Sequence, residues 1–361
     1  MVGNTKVVET ISTDGQEDRQ QWLDSLKGVT IIFVVLGHVL VGFYLNGMFE
    51  AQRGMMYKIH NAIYAFHMPL CFVLSGYSYG IAYISKESSD PAICQNDKIK
   101  TQEWNIFLLY LIWSIIQWSL LFTFSGLATE LVTVEDLLST LTKALPPLWY
   151  LYVLFLCYLI ETAIIKRRAG DNLLVVVIPF VLVISYPIIE PLINDDKFTA
   201  VRILAYYFFF HFGTLMKTNP SILKMISRGK NVIISGFLGV VTWLFIYWSE
   251  AGAPEWNDNI GGAIPALFLT IFIIGAGYGK SLKILSFIGR HSLEIFLMHR
   301  YVNGAGRVIL RKIGVTGFVV NYISIFVLCI IVPLLISMAL IKVRLYDIIF
   351  KPGKILGIRK R

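Results

Sequence analysis

Ten runs of apolar residues follow one another along the chain, with short polar segments between them. A helix needs about 20 mostly apolar residues to cross the hydrocarbon core of a bilayer, and most of the runs approach or exceed that length. The pattern therefore predicts an all-α fold, a polytopic integral membrane helical bundle with about ten transmembrane helices. The runs cover residues 26–46, 59–84, 104–126, 148–165, 172–190, 199–216, 231–249, 259–279, 285–302 and 319–342.

Composition supports the same class. Hydrophobic residues make up 56% of the 361 residues and charged residues 15%, whereas a soluble domain carries about 25% charged residues. The formal net charge of +9 does not indicate a nucleic-acid partner, because most basic residues occupy the gaps between apolar runs and form no single patch. The four cysteines form no CxxC pair, so we expect free thiols and no metal site.

The basic residues also predict an orientation, because cytoplasmic loops carry an excess of Lys and Arg. A cytoplasmic N-terminus places most basic gaps inside and the acidic gaps outside, so both termini are predicted to be cytoplasmic. We expect a cytoplasmic tail over 1–21, a transmembrane domain over 22–345 and a basic cytoplasmic tail over 346–361. One predicted outer loop is basic and does not follow this charge bias, because it holds Arg307, Arg311 and Lys312. This loop could be a re-entrant or amphipathic segment, or it could contact an anionic acceptor.

The first run belongs to the stretch WLDSLKGVTIIFVVLGHVLVGFYL over 22–45, which contains Lys27 and His38. Their separation of eleven residues is close to three helical turns, so they share one face and lie roughly 16 Å apart along the axis. Ionisable groups inside a membrane helix are costly and are functional candidates by default. Judged on this helix alone, both residues could instead be structural: the Lys27 side chain would extend its charge to the membrane surface, and His38 would pack inside the bundle.

Four histidines fall near the midplane of the predicted bundle: His38, His67, His211 and His299. A neutral imidazole can take up and return a proton near neutral pH. Each single histidine is more often structural than catalytic, but a layer of four favours proton-transfer chemistry.

The second run contains IHNAIYAFHMPLCFVLSGYSYG over 59–80. Pro69 removes a helical hydrogen bond and bends a helix. The small side chain of Ser75 and the bare backbone of Gly76 allow close helix contact. These residues predict a kinked and tightly packed helix around His67.

Four segments in this order resemble the acyltransferase-3 family: DSLKGVTIIFVVLGHVL, FHMPLCFVLSGY, PLWYLYVLF over 147–155 and IGRHSLEIFLMH over 288–299. The likeness spans nearly all ten runs. The family's basic-x10-His signature maps onto Lys27 and His38, with Lys where many members have Arg. The WLD-x-LKG form with FHMPL looks closest to the branch that includes fucose 4-O-acetyltransferases. Where many members carry an Arg-rich motif after the second span, this chain has Lys98 and Lys100.

The resemblance implies a bacterial inner-membrane enzyme that moves an acyl group, usually acetyl, from acetyl-CoA to a hydroxyl of a surface glycan or its lipid-linked precursor. Polysaccharide synthesis machinery is a further expected partner, alongside the bilayer itself. Cations at the inner face would bind CoA, namely Lys27 with Asp24 as its orienting partner, and Lys98 and Lys100. His38 would act as general base or would itself accept the acyl group. An oxyanion donor is also needed, with His67 favoured over Tyr64 and Ser75. The expected acceptor-binding residues are Tyr64, Ser75, Trp149, Trp256 and His299.

Two other classes fit the same pattern of apolar runs. One is a transporter or flippase for a glycan or lipid-linked precursor, and the other is a membrane scaffold for a glycan synthase. An acyl-donor site explains the shared face of Lys27 and His38 beside FHMPL, whereas a transport path does not. Loss of His38 would leave a scaffold's function unchanged.

Overall fold

A computed structural model of the chain describes residues 5–84, 91–123, 133–141, 148–166, 177–178, 180–181, 198–249 and 263–355. Every regular element within these ranges is helical, which confirms the predicted all-α fold. Two short 3₁₀ helices cover Glu50–Gln52 and Ser139–Leu141. The α-helices, numbered along the chain, are α1 Thr5–Leu45, α2 Arg53–Tyr64, α3 His67–Ile84, α4 Pro91–Thr123, α5 Val134–Leu138, α6 Trp149–Lys166, α7 Phe198–Thr218, α8 Pro220–Ile226, α9 Gly229–Ser249, α10 Ala263–Gly277, α11 Lys283–Arg290, α12 Ser292–Lys312, α13 Phe318–Lys342, α14 Tyr346–Phe350 and α15 Pro352–Ile355.

The apolar runs coincide with helices wherever the structure describes them. Among the described residues, three helical stretches are long and apolar enough to cross a membrane: Gln21–Leu45, Gln102–Thr123 and Phe318–Lys342. Shorter apolar helices cover Trp149–Ile164, Gly229–Phe245 and Ile264–Gly277. The fold is therefore a helical membrane bundle, and most of the fifth predicted run, 172–190, lies outside the described residues.

The two predicted tails are helical over their described parts. Residues 5–20 continue α1, because this polar stretch lacks proline and is rich in Glu, Gln and other residues that tolerate a helix. At the other end, residues 346–355 form α14 and α15 and return to the bundle. Phe350 is buried, and the Trp113 indole donates a 3.2 Å hydrogen bond to the Ile349 carbonyl. Residues 1–4 and 356–361 lie outside the described part of the chain.

The second and ninth runs are each divided into two helices. The second run divides at Ala65 and Phe66, just before Pro69, which has no N–H to donate to the Ala65 carbonyl. This confirms the predicted kink. The ninth run was predicted as one span, but it divides at His291, whose backbone leaves the helical region at φ −104° and ψ 15°. As a result, Arg307 lies on the long helix α12 and not in an outer loop.

Glycines bring helices into backbone contact at two crossings. A Cβ on Gly289 of α11 would lie 1.7 Å from the Asp24 carbonyl oxygen of α1, and one on Gly28 would lie 2.1 Å from the Leu285 carbonyl oxygen. On α3, a Cβ on Gly76 would lie 1.8 Å from the Phe210 carbonyl oxygen of α7. Only glycine permits such approaches, so the predicted packing role of Gly76 is confirmed.

Helix α1 is the central element of the bundle, in contact with α2, α3, α10, α11, α12 and α13. Its N-terminal half, through Trp22 and Leu26, joins an apolar cluster formed with α3, α6 and α7. Its C-terminal half, from Ile31 to Phe43, joins a second cluster formed with α4, α12 and α13. The shared face of Lys27 and His38 thus runs through the middle of the protein.

Candidate active site

His38 of α1 and His299 of α12 are joined by a hydrogen bond. The Nδ1 atom of His38 lies 2.7 Å from Nε2 of His299. The ring centroids are 4.9 Å apart and the ring planes differ by 21°. Because the short N···N distance spans most of the separation between the centroids, the rings meet edge to edge and nearly in one plane. This is the geometry of an N–H···N hydrogen bond.

The surroundings of His299 determine which nitrogen of each ring carries hydrogen. His299 Nδ1 lies 3.0 Å from the Ile295 carbonyl oxygen and 2.7 Å from that of Phe296. Since a carbonyl oxygen only accepts, His299 Nδ1 must donate. In the neutral ring Nε2 is then an acceptor, and His38 Nδ1 must supply the hydrogen between the two rings. The assignment, inferred from partners, leaves Nε2 of neutral His38 with a free lone pair, as a general base requires.

Tyr64 links His38 to two further histidines. Its ring centroid lies 6.2 Å from that of His38, 3.7 Å from that of His60 and 4.4 Å from that of His67. Gly37, beside His38, gives the tyrosine ring its space, because a Cβ there would lie 2.9 Å from Tyr64 Cε2. The structure therefore places His38, His60 and His67 around one aromatic side chain, and His299 joins this group through its hydrogen bond to His38.

His67 is held by its own helical turn. Its Nδ1 lies 3.0 Å from the Ile63 carbonyl oxygen, so Nδ1 donates. Neutral His67 then presents an acceptor at Nε2 and needs a second proton before that atom can donate to an oxyanion. The predicted oxyanion role of His67 stays a prediction, and this geometry favours the Tyr64 hydroxyl instead, because a phenol group has its own hydrogen to donate.

The other end of the α1 face carries the charged residues predicted for donor binding. Lys27 and Asp24 interact electrostatically, and Asp24 also interacts with Arg290 at the end of α11. The close crossing at Gly28 and Gly289 brings Arg290 to this place. Two cations and one carboxylate thus lie at the predicted inner end, about 16 Å along α1 from His38.

Other predicted site residues lie elsewhere. The Ser75 hydroxyl pairs with the Tyr150 hydroxyl at 2.8 Å. Trp149 packs in an aromatic cluster, with its ring centroid 5.3 Å from that of Tyr206. Lys98 and Lys100 lie on α4, within a stretch whose side chains are outside the description. Trp256 lies outside the described residues altogether.

The predicted layer of four histidines is wrong for His211. Its Nδ1 lies 2.9 Å from Glu161 Oε2, deep in the bundle. His211 follows Phe210, whose carbonyl oxygen contacts Gly76 of α3. Gly76 is nine residues from His67, which is roughly 14 Å along the helix. His211 therefore lies at a different level of the bundle from His67. The carboxylate partner on α6 therefore draws His211 into a separate polar cluster.

His60, Asn303 and Arg290 were missed as site residues. His60, Tyr64 and His67 follow the i, i+4, i+7 spacing of one helical face, and this spacing was a readable signal. Asn303 follows His299 by one turn, and its side-chain amide donates a 2.8 Å hydrogen bond to the His38 carbonyl. The sequence has no comparable spacing that points to Arg290, because Arg290 ends α11, and the break at His291 that ends this helix was not predicted.

The histidine cluster does not have the geometry of a metal centre. Within the described ranges, no group of three or more His, Cys, Asp or Glu side chains is arranged to hold a metal ion. The three described cysteines, Cys71, Cys157 and Cys329, carry free thiols. The described side chains at the site are imidazoles and a phenol, which form hydrogen bonds and can exchange protons.

Comparison with known proteins agrees with the motifs. The chain is 24% identical over 147 residues to the nodulation protein NolL of Mesorhizobium japonicum, a match that covers 40% of this chain and 36% of that protein. The chain thus matches about a third of the length of this curated relative. No solved structure matches the chain.

The family comparison covers far more of the chain. The family model of the acyltransferase domain shared by acyltransferase-3 proteins matches residues 20–342, which include every histidine of the cluster. It also covers nearly all of the predicted transmembrane domain. The transporter interpretation gains no support from these matches. The chain belongs to the acyltransferase-3 family.

Proposed function

We propose that the protein transfers an acetyl or other short acyl group from acyl-CoA to a hydroxyl of a cell-surface glycan or its lipid-linked precursor, in the bacterial inner membrane with both termini cytoplasmic. The observation that carries the proposal is the His38–His299 hydrogen bond, because it leaves His38 Nε2 as a base. Family membership supports acyl transfer as the reaction class.

The donor would enter from the predicted cytoplasmic end. Lys27 and Arg290 supply positive charge for the phosphates of CoA. Asp24, which interacts with both, would orient them. The extended arm of CoA would follow the face of α1, so that the thioester reaches the level of His38, about 16 Å further along the helix.

In the transfer step, His38 Nε2 would remove the proton from the acceptor hydroxyl as its oxygen attacks the thioester carbonyl. The tetrahedral intermediate places negative charge on the former carbonyl oxygen, and the Tyr64 hydroxyl would donate a hydrogen bond to it. Collapse breaks the carbon–sulfur bond, and the proton on His38 passes to the departing CoA thiolate. Throughout, His299 would accept from His38 Nδ1 and hold the ring in place.

The test is label transfer in membranes of the native host that lack the chromosomal copy and carry either the wild-type chain or His38→Ala. Labelled acetyl-CoA is supplied, and label in total surface glycan and glycolipid is counted at equal protein levels. His291→Asn serves as the matched control, because His291 is partly exposed and lies at the helix break. The proposal requires label with wild type and His291→Asn but not with His38→Ala. Equal label in all three would contradict it.

A further inference from the structure

The Arg307 guanidinium lies partly buried between α1 and α12, one helical turn beyond His38 toward the C-terminal end of α1. Arg307 Nη1 donates a 3.2 Å hydrogen bond to Asn303 Oδ1, and the same Asn303 is bonded to the His38 backbone. Helix α1 has Gly42 at this point, where a Cβ would lie 1.8 Å from Arg307 Nη1. The absence of a side chain at Gly42 therefore makes the space that Arg307 occupies.

Arg307 lacks a compensating negative charge within the described part of the chain. No described carboxylate forms a salt bridge with it, and its electrostatic neighbours include the cations Arg300 and Arg311. A neutral amide is its hydrogen-bond partner, and a guanidinium has five N–H groups to donate. Because this guanidinium is partly withdrawn from water and has N–H groups left to donate, an anion bound beside it would stabilise the arrangement.

The position of Arg307 specifies where that anion would lie. Gly42 follows His38 by four residues, so the guanidinium is about 6 Å outward of His38 along α1. When the reacting hydroxyl of an acceptor reaches His38 Nε2, the sugar unit that carries this hydroxyl, or the next unit, would therefore lie beside Arg307. Planar guanidinium groups bind carboxylates and phosphates through paired hydrogen bonds. In the predicted orientation, Arg307, Arg311 and Lys312 lie toward the outer side of the membrane against the usual charge bias, which also fits an anionic ligand.

We infer that Arg307, positioned by Asn303, binds an acidic group of the acyl acceptor, so that the substrate is an anionic glycan or glycan precursor with a carboxylate or phosphate near the acylated hydroxyl. This inference rests on the proposed function and specifies its acceptor.

The test uses the full-length chain in native-host membranes with labelled acetyl-CoA. Arg307→Gln removes the charge, Arg307→Lys keeps it without the paired donors, and Lys312→Gln removes an exposed charge from the same helix as a matched control. We expect label transfer to fall at least tenfold in Arg307→Gln, to fall less in Arg307→Lys and to stay within twofold in Lys312→Gln. Protection of Arg307→Gln against thermal unfolding by acetyl-CoA should equal that of wild type, because donor binding lies at the other end of α1.

The labelled wild-type product is then passed intact over an anion exchanger. Retention on the exchanger is expected. Retention lost after hydrolysis of phosphate bonds identifies a phosphate, and retention lost after chemical reduction of carboxyl groups identifies a carboxylate. An unretained, neutral product overturns the inference and leaves acyl transfer standing, as does undiminished transfer by Arg307→Gln. Absence of label with the wild-type chain overturns the proposed function, and this inference with it.

Discussion

Replacing His299 with alanine removes the only described acceptor for the Nδ1 hydrogen of His38, which lies 2.7 Å from His299 Nε2. A buried donor left without a partner costs about 1–3 kcal/mol. If this cost raises the free energy of the ring orientation in which His38 reacts, the transfer rate falls about 5- to 160-fold, because each 1.36 kcal/mol changes a rate tenfold. The loss should be smaller than that for removing His38 itself, because His38 Nε2 can still act as a base in the molecules that retain the productive ring orientation.

The assay is acetyl transfer by protein reconstituted in lipid nanodiscs, with kcat and KM for acetyl-CoA measured separately. We expect kcat to fall within the stated range and KM for acetyl-CoA to stay within twofold, since His299 lies away from the donor end. Nitrogen-15 spectra of histidine-labelled protein should show His38 hydrogenated at Nδ1 in the wild type and a mixture of tautomers in His299→Ala. A merely structural role for His299 would not change the tautomer.

His291→Asn is the matched control, because it removes another imidazole from the same segment and should leave kcat within twofold. The reasoning is refuted if His299→Ala has wild-type kcat while His38 remains essential. It is also refuted if His38 in the wild type carries its hydrogen at Nε2.

Three further changes test other parts of the site. Lys27→Ala should raise KM for acetyl-CoA at least tenfold in steady-state assays with little change in kcat, because a phosphate contact is lost, whereas exposed Lys283→Ala should not. Tyr64→Phe keeps the ring packing and removes the hydroxyl, so kcat should fall about 10²- to 10³-fold if that hydroxyl donates to the oxyanion; a loss below threefold would assign the role elsewhere. Gly289→Ala places a Cβ 1.7 Å from the Asp24 carbonyl oxygen and should lower thermal stability by several degrees in detergent, about 1–3 kcal/mol of overpacking, whereas Gly304→Ala, with open space around it, should not.

The sequence could predict the axis of the site because its signals there are local. Lys27 and His38 lie on one uninterrupted helix, so helical periodicity alone places them on one face. Pro69 likewise predicts a break through a missing hydrogen bond in its own turn. Such features depend on residues a few positions apart, and no knowledge of neighbouring helices is needed.

Partners across helices could not be predicted in the same way. Depth in the membrane correctly placed His299 near His38 but also placed His211 in the same layer. Counting residues from the predicted end of a run does not show which part of a neighbouring helix lies at the same level. His211 pairs with the Glu161 carboxylate on α6, at the level of Gly76 and roughly 14 Å along α3 from His67. The break at His291 was also missed, because the surrounding residues are apolar enough to read as one span. The break separates α11, which carries Arg290, from α12, which carries Arg307.

The most direct test of the central claim is chemical rescue of His38→Ala in nanodiscs with acetyl-CoA and the extracted native acceptor. Removal of a positioned general base costs about 10²- to 10⁴-fold, so transfer should fall within that range. Added imidazole should restore part of the rate in proportion to its unprotonated fraction, because the small base can enter the space that the side chain leaves beside His299. Transfer by His38→Ala at the wild-type rate, without imidazole, would contradict the account.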